Sequence, residues 1–162
     1  MGSLAVTIKE EHLYQGSNKY KLERKVTFGD IEQVTHRTDL VKNDELGSGI
    51  ELIRIVDQEE KQTAGSFVKG TVKYMRFTHI SGSADGEIIF KKDDQLDGVT
   101  LEIKPKTSLI FASEQFAQAD IARVVDPTYA DYTYFSAIEN LDVVKARGVG
   151  GDIKLEYVIA GT

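Results

Sequence analysis

Along most of this chain apolar side chains recur at every second residue, in short runs rich in β-branched and aromatic residues and separated by Gly, Asn, Asp and Ser. Period two is the repeat of a strand with one buried and one wet face, and helical spacing is scarce. The clearest case is the last run, Asp152-Ile153-Lys154-Leu155-Glu156-Tyr157-Val158-Ile159. There Ile153, Leu155, Tyr157 and Ile159 share one face while Lys154 and Glu156 take the other, as in an antiparallel sheet. Similar runs predict strands over residues 5–14, 19–28, 51–57, 71–80, 87–91, 99–103, 108–111 and 132–137, roughly nine in all.

The punctuation between runs predicts how they connect. Ser81-Gly82-Ser83-Ala84-Asp85-Gly86 reads as a hairpin turn, since glycine supplies the positive φ that tight reversals need, and Leu96-Asp97-Gly98 closes the next reversal in the same way. Pro105 cannot donate to a ladder and ends one strand before a turn, and Pro127 acts similarly after Asp126. Residues 115–125 carry mixed signals, with Phe116, Ile121, Val124 and Val125 fitting an edge strand and 116–122 also fitting a short helical turn. No repeat of fixed period and no Pro/Ser-rich linker divides the sequence, which predicts one all-β domain over residues 1–162, an antiparallel β-sandwich. Residues 1–11 form an N-terminal arm, and two polar stretches, 38–49 and 57–66, read as long loops suited to partner contacts.

At 162 residues the chain is long enough to bury a substantial core, and its hydrophobic (41%) and charged (28%) fractions are those of a globular protein. No run approaches the ~20 apolar residues a membrane-spanning helix requires. The opening Met1-Gly2-Ser3-Leu4-Ala5-Val6 lacks the basic and apolar regions of a secretory signal. A net charge of −6 with dispersed Lys and Arg disfavours nucleic acid as the main ligand.

The absence of cysteine from the sequence rules out disulfides and thiolate sites. Candidate chemistry is thin. His12, His36 and His79 are spread along the chain, and a zinc site, or a small hydrolase or isomerase on a cupin-like scaffold, requires them to converge with carboxylates in space. Asp93-Asp94-Gln95-Leu96-Asp97-Gly98 has carboxylates at alternate positions before a glycine, but Lys104 stands where a calcium loop closes with Glu, so a charged turn is expected. Gly148-Val149-Gly150-Gly151 lacks the Lys-Ser/Thr ending of a phosphate loop and reads as a flexible turn. Ser108, Ser113 and Ser136 lack nucleophile-elbow context. We therefore expect no catalytic, cofactor or metal residue. Tyr129, Tyr132, Tyr134 and Phe135 crowd one segment, where they serve packing or, in a binding module, a stacking platform for a glycan.

One stretch has a familiar order of features. Val72-Lys73-Tyr74-Met75-Arg76-Phe77-Thr78-His79-Ile80 is followed by a polar turn, then by Glu87-Ile88-Ile89-Phe90, then by Leu101-Glu102-Ile103-Lys104-Pro105-Lys106 and Ser108-Leu109-Ile110-Phe111. With Ala119-Asp120-Ile121 and the closing Leu155-Glu156-Tyr157, this resembles small virion structural proteins of tailed bacteriophages, especially those of marine hosts. It departs from their pattern at Lys106, where Gly usually follows the proline, and at His79-Ile80-Ser81, where an Asn-containing turn is usual. The resemblance implies a jelly-roll-like sandwich without enzymatic activity, acting as a capsid decoration or stabilising protein. Its implied partners are the major capsid protein or other virion proteins, it is located in the virion, and it is held in the host cytoplasm before assembly. It also implies a homo-oligomer, a trimer by analogy, with no nucleic acid and no membrane as partner. The alternative is a tail-associated or cell-surface module that recognises a glycan or a protein. Candidate interface residues are Leu4, Val6 and Ile8 in the arm, Asn43, Asp44, Glu45 and Leu46 in the first loop, and Tyr129, Tyr132 and Tyr134.

Overall fold

The computed structural model describes residues 2–14, 18–44, 47, 49–57, 65–91, 98–112 and 141–162. These form eleven strands and, among the described residues, no helix: β1 (Gly2–Tyr14), β2 (Asn18–Ile31), β3 (Gln33–Val41), β4 (Ile50–Val56), β5 (Phe67–Val68), β6 (Val72–Ser81), β7 (Asp85–Lys91), β8 (Gly98–Ile103), β9 (Ser108–Ala112), β10 (Val143–Val149) and β11 (Ile153–Gly161). The all-β expectation is met, with eleven strands in place of nine. The expected strand over 132–137, the mixed segment 115–125 and the acidic run 93–97 lie outside the described residues.

The chain divides into two compact units, Met1–Glu32 and Gln33–Thr162. The first is the antiparallel ribbon β1–β2, in register from Leu4 opposite Phe28 to Tyr14 opposite Asn18. Its described side chains alternate as a ribbon should: Leu4, Val6 and Val26 are half-buried, while Ala5, Thr7, Lys25 and Thr27 are exposed. On the exposed side Lys9 and Glu23, which are opposite each other, form an ion pair at 3.4 Å. The expected arm is thus one strand of a paired ribbon.

The second unit holds two sheets, ordered β5-β4-β10-β7-β8 and β3-β11-β6-β9. All neighbours are antiparallel except β4 and β5. Only the steps β4 to β5 and β7 to β8 stay within a sheet, and every other step changes sheet. Both sheets contribute to one apolar cluster. Leu52, Ile53, Ile88, Phe90, Ile103 and Val144 come from the first, and Val41, Met75, Phe77, Leu155, Tyr157 and Ile159 from the second. Phe77, Phe90 and Phe111 meet edge to face, with ring centroids 5.3 to 6.4 Å apart, so three strands from both sheets share one aromatic contact.

Two connections differ from expectation. Residues 82–84 do not close a hairpin, because β6 and β7 lie in different sheets; they form a corner. Gly82 has φ +113°, open only to glycine. Buried His79 donates from Nε2 to the Ala84 carbonyl at 2.9 Å and clamps the corner. The glycine-rich stretch is likewise half strand: Gly148 and Val149 belong to β10, and the reversal is confined to Gly150, Gly151 and Asp152. By contrast, β7 and β8 pair from Lys91–Gly98 onward as the second expected reversal requires. Pro105 and Lys106 occupy the turn between β8 and β9.

Candidate interaction surface

The outer face of β3-β11-β6-β9 is built by alternation. On β11 the odd positions Ile153, Leu155, Tyr157 and Ile159 are buried in the core, so Lys154, Glu156 and Val158 turn outward. Register then fixes the rows: Leu40 beside Lys154, Thr38 beside Glu156, His36 beside Val158 and Val34 beside Ala160. On the other side of β11, Arg76 stands beside Val158, and Ile110 of β9 beside Arg76.

Four of the five exposed large apolar residues of the described chain lie on this face: Val34 (57% exposed), Leu40 (59%), Ile80 (39%) and Ile110 (42%). They stand at separate points of the face, Val34 and Leu40 at opposite ends of β3 and Ile80 and Ile110 on β6 and β9. At its centre Arg76 pairs with Glu156, and His36 Nε2 lies 3.7 Å from the same carboxylate oxygen. Tyr74, between Ala160 and Ala112 in register, is buried, and burial raises its phenol against the opposing effect of Arg76. Sequence reasoning missed this face because it assigned residues from 38 onward to a loop and placed no strand at 33–37. The signal was the alternation Val34, His36, Thr38, Leu40, muted because the inward positions Thr35, Arg37 and Asp39 are polar.

Other parts of the unit are fastened internally. Asp152 accepts from Lys42 Nζ at 2.7 Å and from the Asn43 backbone N–H at 2.9 Å, and these two bonds hold its carboxyl below the ordinary range. Asp44 accepts from the Gly49 N–H at 3.1 Å, and Arg147 donates to the Gly47 carbonyl at 2.9 Å. Lys42 and Asn43 are thereby fastened to the β10–β11 corner, with Asn43 exposed and Asp44 half-buried. Of the other expected interface residues, Leu4 and Val6 sit half-buried in β1, and Ile8 is placed in that strand at backbone level. Glu45, Leu46, Tyr129, Tyr132 and Tyr134 lie outside the described residues.

A cleft of about 190 Å³ opens between β3 and β4, lined by Thr35, Arg37, Glu51, Arg54 and Ser66 among others. Arg54 and Glu51 pair within it at 2.8 Å, and Gln33 Nε2 donates to the Ser66 carbonyl across it at 2.8 Å. Among the described residues no three His, Asp or Glu side chains converge as a metal site would require. His36 and His79 lie on opposite faces of one sheet, the first exposed and the second fully buried. Comparison of the chain with protein-family models, curated proteins and solved structures finds no match.

Proposed function

We propose that this chain is a non-enzymatic virion structural protein, a head decoration protein of the tailed-phage kind, built on a jelly roll and binding the capsid lattice in many copies. The strand pairing carries the reading. With the two-residue β5 set aside, eight strands remain from β3 to β11. The first pairs with the last (β3–β11), the second with the seventh (β4–β10), the third with the sixth (β6–β9) and the fourth with the fifth (β7–β8). That order supports the jelly-roll reading, in which one long hairpin wraps into two sheets as in capsid, lectin and cupin domains.

Fold alone does not choose among those roles. The exposed apolar side chains of the outer face favour an assembly protein. A cupin-like enzyme is disfavoured by the placement of His36 and His79 on opposite faces. The cleft beside Arg37 is the feature that favours the binding-module alternative.

Co-sedimentation of the purified protein with empty phage heads tests the proposal. Saturable binding of many copies per head is the expected result, and heads that pellet free of the protein at every concentration overturn it.

A further inference from the structure

We infer that the cleft between β3 and β4 is a binding site for one acidic sugar ring, a pyranose carrying a single carboxylate as hexuronates do. The site lies between edge strand β3 of one sheet and β4 of the other, and it is independent of the virion reading.

Charge selects the ligand. Arg37 and Arg54 reach the cleft from different sheets. Arg54 is matched by Glu51, donating from Nε to Oε1 at 3.2 Å and from Nη2 to Oε2 at 2.8 Å, a fork that offsets its charge. Among the described residues no carboxylate pairs with Arg37. Its guanidinium donates to the Tyr157 hydroxyl, whose own proton goes to Asp39, and its Nη2 lies 3.6 Å from where a Cβ on Gly65 would stand. The group is thus anchored at β11 and reaches the wall formed by Gly65, and the bond to Tyr157 engages only part of a fork of five donors. In a chain that carries −6, this cleft holds one uncompensated positive charge. A monoanionic carboxylate matches it, whereas a phosphate dianion brings its second charge against Glu51.

Size and lining select the rest of the molecule. The volume of about 190 Å³ is below the roughly 300–1,000 Å³ of pockets for drug-sized ligands, so the cleft suits a single ring. Leu52 and Ile53 also line it, but both are buried, 6% and 3% exposed, and offer little apolar surface to a fatty or aromatic acid. The Glu51 carboxylate, 41% exposed, accepts hydrogen bonds from ring hydroxyls, and the Thr35 hydroxyl both donates and accepts. Among the described residues no aromatic side chain lines the cleft, so a neutral sugar finds no ring to stack on and the carboxylate carries the affinity.

Titration of the full, isotope-labelled chain with sodium glucuronate tests this, read by amide chemical shifts at constant ionic strength. Saturable shifts are expected at Thr35, Arg54 and Gly65, with none there from glucose or acetate. Arg37→Gln is expected to weaken binding by about tenfold or more, the worth of a charge-assisted hydrogen bond, at unchanged melting. Thr35→Val keeps the shape of the side chain and is expected to weaken it by about threefold, which decides the matter if Arg37→Gln fails to fold. The inference is overturned by glucuronate that gives no saturable shift at these amides, by glucose or acetate that saturates them equally well, or by folded variants that bind as tightly as wild type. Head binding is a separate readout: a chain that takes glucuronate and ignores phage heads sinks the virion reading alone, and one that binds heads and ignores glucuronate sinks the sugar site alone.

Discussion

Tyr157 Oη on β11 lies 3.0 Å from Asp39 Oδ2 on the neighbouring strand β3 and 3.3 Å from the Leu52 carbonyl oxygen on β4 of the other sheet. One buried phenol therefore ties the edge of one sheet to the backbone of the other across the core. Burial first, then the bond to Asp39, pushes its pKa from 10.0 up to about 12. A raised folded-state value means that its contribution to stability is complete below pH 10 and is lost as pH rises towards 12. Tyr157→Phe is expected to cost about 1 kcal/mol at neutral pH. It should also flatten the alkaline decline, which denaturant titrations across that range would reveal; an unchanged decline contradicts the assignment.

The aromatic contact of Phe77, Phe90 and Phe111 joins β6, β7 and β9, and Phe77 is fully buried. Phe77→Ala is expected to lose about 3–5 kcal/mol in denaturant unfolding, through lost transfer energy and the cavity left behind. A loss below about 1 kcal/mol would show that the two sheets do not share this core.

Gly148 is needed for close approach. A Cβ built there would stand 2.2 Å from the Gly151 carbonyl oxygen, a backbone atom that cannot swing aside. Gly148→Ala is expected to destabilise by about 1–3 kcal/mol, measured by thermal melting, because the β10–β11 corner must open. A neutral outcome would restore the reading of this stretch as a loose turn.

Lys106 has φ +64°, in the left-handed region that favours glycine. Relief of the strain outweighs the entropy that glycine adds to the unfolded chain, so Lys106→Gly is expected to stabilise by up to about 1 kcal/mol. A lower melting temperature in the variant contradicts this.

Legibility followed burial contrast. β11 was plain in the sequence because one face is uniformly apolar and the other carries Lys154 and Glu156. β3 was hidden for the opposite reason: it is an edge strand with polar residues on its inward side, so Thr35, Arg37 and Asp39 erase the amphipathic signal. β10 was concealed by Gly148, which reads as a breaker and serves as a strand residue held by close packing. The corner at 82–84 looked like a hairpin because the glycine chemistry is the same for both, and only the sheet each strand joins distinguishes them. The outer face depended on the register of four strands, two of them far apart in sequence, which local pattern does not carry.

Peptide mass spectrometry of phage particles purified from a culture that produces this chain reads the proposed role in the virion. The expected result is its peptides at a stoichiometry of many copies per particle, released together with head proteins. Virions that contain none of it would contradict a structural role in the particle.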